Sequence, residues 1–261
     1  MGGYHPASFP GYDHGAHNAA SFTGRRSNDH DMGAIYLIRH GQASFGAADY
    51  DKLSELGHEQ GRVLGASLRT RVLKHDLVIC GGMRRHRETA DNCLRAMDRE
   101  ALWEDDAGWA EYDHEAVVNA YRPSWADKQA MKADLSTLEN PRRAFQEIFE
   151  RAIARWVGGE HEADYPESWT AFRARVEDAL TRLRQRLGKS QTALVFTSGG
   201  PITAVVQHLM QLPDDRAFRL NWTLANCGIT KLIYSDRGVY VSSVNEHACF
   251  EGAQARLITY R

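Results

Sequence analysis

Residues Ala34 to Gln42 read AIYLIRHGQ, a short apolar run that stops abruptly on an arginine, a histidine and a glycine. Ile35, Tyr36, Leu37 and Ile38 make that run nearly continuous, the pattern of a strand covered on both faces within a parallel sheet. The strand delivers Arg39 and His40 to its C-terminal end, where open α/β sheets bind their ligands. A guanidinium fork matches phosphate oxygens and a neutral imidazole nitrogen can attack phosphorus, so this pair points to phosphate chemistry. Gly41 permits close backbone approach to the same centre. The tripeptide alone also suits a surface-paired arginine beside a structural histidine, so the rest of the chain decides.

Working outward, a polar loop through Ser44, Phe45, Asp49, Tyr50 and Asp51 leads into LSELGHEQG at 53–61. Val63, Leu64, Leu68 and Val72 then recur at helical spacing, predicting a helix from about Glu59 to Lys74. Asp76 to Cys80, DLVIC, is a second buried strand; Gly81 and Gly82 break it, and a helix opens at Met83 with Arg84, Arg85, His86 and Arg87. Such basic runs are commonly a solvated face. This one follows a buried strand at a helix N-terminus, where free N–H groups stabilise an anion, which favours a phosphate role for one of its arginines.

Leu102 to Tyr112 reads as an irregular connection rich in Trp and acidic residues, and Tyr121 to Pro166 as a long excursion with a helix bearing Phe145, Ile148, Phe149, Ile153 and Trp156. An excursion of that length is a candidate lid; a helical cover without substrate contact is the alternative. Trp169 to Leu187 is an amphipathic helix. TALVFTSGGPITAVVQHLM then repeats the first motif's design: a buried strand at Ala193 to Thr197, a glycine turn, and a helix with Pro201 near its start. Strands at Ile229 to Tyr234 and Val239 to Val244 meet across a turn at Ser235 to Gly238. The expected fold is a three-layer α/β/α sandwich with a mostly parallel central sheet.

The 261 residues, 43% hydrophobic and 25% charged, suit one large α/β domain with a substantial core. A net charge of −2 gives no reason to expect nucleic acid or an anionic membrane as partner. The chain shows neither a membrane-length apolar run nor a signal-peptide design, so a cytoplasmic protein is expected. Cys80, Cys93, Cys227 and Cys249 are widely spaced without a CxxC pair, which indicates neither zinc nor a disulfide framework. Residues 1–32, polar and without apolar period, read as a disordered tail; its His5, His14, His17 and His30 fit no metal spacing, and Met32 is a candidate natural start. The remainder, 33–261, is one domain with 113–166 as the lid-like insertion.

With these motifs assembled, the chain resembles the histidine phosphatase superfamily, the group related to cofactor-dependent phosphoglycerate mutases. Tyr36 to Gly41 is similar to its nucleophile motif, LSELGHEQG to its L-T-x-x-G-x-x-Q-A helix start, and Arg85 to Ala90 to its R-A-x-Q-T-A. The resemblance implies His40 as the phosphorylated nucleophile, Arg39 and Arg85 as a guanidinium clamp, and Glu111 as the proton donor, with Glu104, Asp105, Asp106 and Asp113 as competing carboxylates. One departure stands out. The family's late motif has His-Gly after an apolar strand, and that second histidine bonds the phosphate; here the chain reads VFTSGGPI, with Ser198 in its place. Ser198 is expected to cap the following helix, and a capping hydroxyl can still reach a phosphate beside Gly199.

These residues imply a phosphomonoester hydrolase that works without metal or cofactor. Nearby Arg39 and Arg85 keep His40 neutral for attack, and an acid protonates the departing alkoxide. The expected substrate is a small phosphorylated metabolite or a phosphoprotein, and a homo-oligomer is compatible with the sequence. Loss of the second histidine leaves a weakly active or inactive phosphate-binding module as the alternative, with mutase-type phosphotransfer as a narrower one. Further site candidates are Gln42, Gly41 and His114. His114 follows Glu111 by three residues, so a helical turn there would put both side chains on one side and let His114 supply the donor that Ser198 lacks.

Overall fold

A computed structural model of the chain describes residues 32–44, 51–72 and 74–260. The expected tail, Met32 apart, and most of the polar loop after Ser44 lie outside the described residues. Along the chain the elements begin with β1 (Gly33–Arg39), α1 (Glu55–Arg71), β2 (Leu77–Cys80), α2 (Arg84–Ala96) and the two-residue β3 (Glu104–Asp105). Helices α3 (His114–Tyr121), α4 (Lys128–Ser136), α5 (Pro141–Val157) and α6 (Trp169–Arg186) follow. The chain closes with β4 (Thr192–Thr197), α7 (Gly199–Met210), α8 (Asp214–Asn221), β5 (Ile229–Ser235) and β6 (Gly238–Glu246).

The strands form one six-stranded sheet in the order β3-β2-β4-β1-β5-β6. Pairings β1–β4, β2–β4 and β2–β3 are parallel, while β5 runs antiparallel to both β1 and β6. The apolar strands are covered on both faces, and alternation sorts their side chains. Ile35, Leu37, Ile79, Ala193 and Val195 face a core shared with α3, α5, α6, α7 and α8. Ile38, Val78, Cys80, Leu194 and Phe196 face the opposite core, packed on α1 and α2. The expected three layers are present.

Boundaries depart from the sequence reading where local bonds intervene. Helix α1 starts four residues before Glu59 because the Ser54 hydroxyl caps it, accepting from the Gly57 N–H at 3.1 Å. It also ends at Arg71, short of Lys74. The connection at 102–112 contains β3, which the sequence does not announce: its two exposed residues carry no apolar pattern, and only pairing with Ile79 and Cys80 makes them a strand. Cys80 lies in β2, and all four cysteines are free thiols.

The excursion is anchored at one end. Helix α4 buries none of its residues, whereas the last turns of α5 bury Ala152, Ile153, Trp156 and Val157 in the main core. Trp156 packs against Tyr112 (ring centroids 4.7 Å apart) and Trp169 (5.1 Å), and Tyr112 meets Phe172 edge-on. Large aromatic faces buried together contribute well beyond their number. Their placement matters here because Tyr112 follows Glu111 directly.

Candidate active site

His40 leaves the end of β1 with its backbone fixed on both sides: its N–H donates to the Thr197 carbonyl at 2.9 Å, and its carbonyl accepts from Asn226 Nδ2 at 3.0 Å. Its Nδ1 lies 2.7 Å from the Gly41 carbonyl. A carbonyl only accepts, so Nδ1 carries the proton and the lone pair sits on Nε2. Arg85 Nε donates to that lone pair at 3.2 Å. Burial foremost, then the charges of Arg85 and Arg39, hold His40 well below the usual imidazole range. The ring is therefore neutral, with its Nε2 lone pair facing an arginine.

Helical phase sorts the basic run at the start of α2. Arg85 and His86 fall on the buried face with Thr89, Ala90, Cys93 and Leu94. Arg84 and Arg87 point out, the first to Glu88 at 2.7 Å and the second to Asp105 at 2.7 Å. Arg85, only 5% exposed, also donates from Nη1 to Asp51 at 2.7 Å. Thr89 locks the strand end to this helix, since its hydroxyl accepts from the Gly41 N–H at 3.0 Å and donates to the Arg85 carbonyl at 2.7 Å.

On the far side of His40 from α2, α7 opens with two glycines, Gly199 and Gly200. A Cβ on Gly200 would lie 2.0 Å from Glu111 Oε1, so a glycine there makes room for that carboxylate. Glu111 accepts from the N–H groups of Gly200 and Tyr112, each at 3.2 Å. Pro201, in the first helical turn, gives up no intrahelical bond there. Although Glu111 keeps some surface as a residue, its carboxyl is enveloped by protein, and this desolvation raises its pKa against the opposing pull of Arg85, the two N–H groups and Arg39. The competing carboxylates are committed elsewhere: Glu104 to Arg186, Asp105 to Arg87, Asp106 to Arg182, and Asp113 to capping α3.

Other sequence expectations land differently. Ser198 occupies the cap position of α7 but its hydroxyl makes no capping bond. It meets His86 Nε2 at 2.7 Å instead. Gln42 is turned away toward α1, its side-chain oxygen accepting from the Ser54 hydroxyl at 2.9 Å. Gly41 is required by packing, because a Cβ there would lie 2.6 Å from the Gly57 carbonyl. Arg39 is moored to backbone, donating to the carbonyls of Leu224 and Tyr260, and Gly199 lies between Asn221 and Arg39. Glu111 sits before α3 and His114 begins it, so the helical turn expected to align them does not exist. His114 is nonetheless close enough for Arg85 to help burial lower its pKa. His86 is the residue that sequence reasoning missed. Its signal was helical phase, since it precedes Thr89, Ala90 and Cys93 by the three, four and seven residues that define one face.

Comparison with known proteins identifies the family and the fold. The family described as the histidine phosphatase superfamily (branch 1) matches residues 35–142 and 133–247. A search of curated protein sequences gives no match. Among solved structures, the phosphoglycerate mutase of Bacillus anthracis is similar at TM-score 0.59 and 19% identity, covering 87% of this chain and 98% of that one. A mycobacterial glucosyl-3-phosphoglycerate phosphatase is similar at TM-score 0.57 and 18% identity, covering 83% and 100%. Phosphoserine phosphatase of Entamoeba histolytica, in complex with 3-phosphoglyceric acid, is similar at TM-score 0.54 and 18% identity, covering 83% and 98%. At such identities the likeness to these structures is one of fold.

Proposed function

Because the chain belongs to the histidine phosphatase superfamily (branch 1), we propose that it is a phosphomonoester hydrolase acting through a phosphohistidine at His40. The observation that carries this reading is the pairing of a neutral His40, its Nε2 lone pair facing Arg85, with a buried Glu111 whose pKa is raised. The two groups have opposite protonation needs, and their surroundings push their pKa values in the directions those needs require. A small phosphomonoester suits a site this enclosed, with His40 7% and Arg85 5% exposed.

The incoming phosphate takes over the Arg85 Nε–H that now rests on His40, which frees Nε2 and places phosphorus before it. Nε2 attacks, the ester P–O bond breaks, and the Glu111 carboxyl protonates the departing alkoxide. Water then attacks the phosphohistidine with the Glu111 carboxylate as base, releasing orthophosphate and restoring both groups. Arg85 and Arg39 offset the charge that builds on the transferring phosphoryl group.

The test is phosphate release from a panel of phosphorylated metabolites by the wild type and by His40→Ala. The variant should lose all measurable turnover with an unchanged melting temperature, and only the wild type should yield an acid-labile, base-stable phosphoenzyme. Equal turnover in both proteins would overturn the proposal. Absence of turnover on every substrate, with phosphate still bound, would favour a binding module, and a product with relocated phosphate would favour a mutase.

A further inference from the structure

Next to His40 lies a second imidazole that the proposed chemistry leaves unused. His86 is fully buried, its ring centroid 5.7 Å from that of His40, and its Nε2 lies 2.7 Å from the Ser198 hydroxyl, itself fully buried. Its Nδ1 lies beside Gly81, whose carbonyl counters the burial and the Arg85 charge that hold the ring well below the usual imidazole range, although no aligned hydrogen bond forms there. Burying a polar ring and a hydroxyl together costs stability unless they bond each other, and a pair of apolar residues would serve packing better. The pair also has a fixed place: Ser198 follows Thr197, whose carbonyl accepts the His40 N–H, so the hydroxyl stems from the strand end beside the nucleophile.

We propose that His86 is a positioning residue that acts through Ser198: its Nε2–H donates to Ser198 Oγ, which turns the serine proton toward a phosphate oxygen at His40. The inference rests on the phosphatase reading above. Without phosphate the Gly81 carbonyl favours the other tautomer, in which Ser198 donates to Nε2 and presents only lone pairs; an anion disfavours that arrangement, so bound phosphate selects the Nε2–H form. The hydroxyl becomes accessible as phosphate displaces Arg85 from His40.

The experiment is a double-mutant cycle on Ser198→Ala and His86→Ala, read as kcat/KM on p-nitrophenyl phosphate and as competitive inhibition by orthophosphate. Each single variant should lose about a hundredfold in kcat/KM, the lower end for one phosphate donor. The double variant should lose no more than the worse single one, because both delete the same contact. His86→Gln, whose amide can still donate to Ser198, should stay within about tenfold of wild type, a rescue that simple volume filling does not explain. His86→Ala with Ser198→His, which returns an imidazole to the strand end, should recover part of the loss. Thermal melts accompany each variant, and His86→Phe replaces His86→Ala in the cycle if the latter does not fold. Single losses that multiply in the double variant, a His86→Gln no better than the alanine or phenylalanine variant, or a Ser198→Ala with unchanged orthophosphate inhibition would overturn the proposal. His40→Ala run alongside separates the two readings. Activity that survives in it removes the phosphohistidine mechanism itself, whereas its loss together with an additive cycle removes only the role of His86.

Discussion

Two helices begin beside His40, and a carboxylate from a preceding segment meets the first turn of each. At α2, Asp51 accepts from the Arg84 N–H at 2.9 Å and from Arg85 Nη1 at 2.7 Å, with its side chain 38% exposed. At α7, Glu111 accepts from the Gly200 N–H at 3.2 Å inside the protein. Both exploit the positive end of a helix. Water makes the difference: the partly exposed Asp51 forms an ion pair with Arg85, while burial raises the pKa of Glu111, which suits the general acid proposed. A local motif therefore does not set the chemistry of a carboxylate. Its solvent exposure does.

The comparison breaks most visibly at Arg85, the one cation of the α2 run turned inward. Arg85→Ala should lower kcat/KM by about a thousandfold, the upper end for one charged transition-state donor, whereas Arg84→Ala and Arg87→Ala, bound to Glu88 and Asp105, should stay within about tenfold. Steady-state kinetics of the three variants on one substrate decide it. Equal losses would mean that the whole run, and not helical phase, holds the phosphate.

On the α7 side, Glu111→Gln should slow an alkyl phosphate by about a hundredfold and an aryl phosphate by about tenfold or less, because an aryl oxide departs with little protonation. The pH profile sharpens the point. A raised pKa keeps Glu111 protonated above the usual carboxylate range, so wild-type rate on the alkyl ester should fall as pH rises through that value, and Glu111→Gln should lack this basic limb. The acidic limb belongs to His40 and should lie below the ordinary imidazole value of about 6.5, since its pKa is lowered. An unchanged basic limb in the variant would assign it elsewhere.

The smallest effect concerns Asp51. If its carboxylate competes with phosphate for Arg85, Asp51→Asn should strengthen competitive inhibition by orthophosphate by about two- to fivefold, the scale of one partly exposed ion pair. Weaker inhibition in the variant would show instead that Asp51 holds Arg85 in its working position.

Much of this was legible without coordinates. The apolar runs at 35–38, 77–80 and 193–196 are mostly buried strands covered on both faces, and their C-terminal ends bring His40 and Ser198 together with the start of α2. Position and residue type mark His40 and one arginine of the α2 run, the family resemblance picks Arg85 from that run, and the adjacency of the two follows from the parallel order of β1, β4 and β2. What the sequence left open was which partner each polar group would choose. Ser198 looked like a helix cap because serine before a glycine turn usually is one, yet a histidine 112 residues away took its hydroxyl. Glu111 stood among rival carboxylates that differ little in local context, and it was singled out when Arg186, Arg87 and Arg182, from α6 and α2, claimed the neighbours. Periodicity and residue type record which surface avoids water, and so determined the layers and the strand ends. Hydrogen bonds and pKa values depend on distances and desolvation across elements far apart in the chain, and those quantities exist only once the sheet brings α2, α7 and the segment before α3 together around His40.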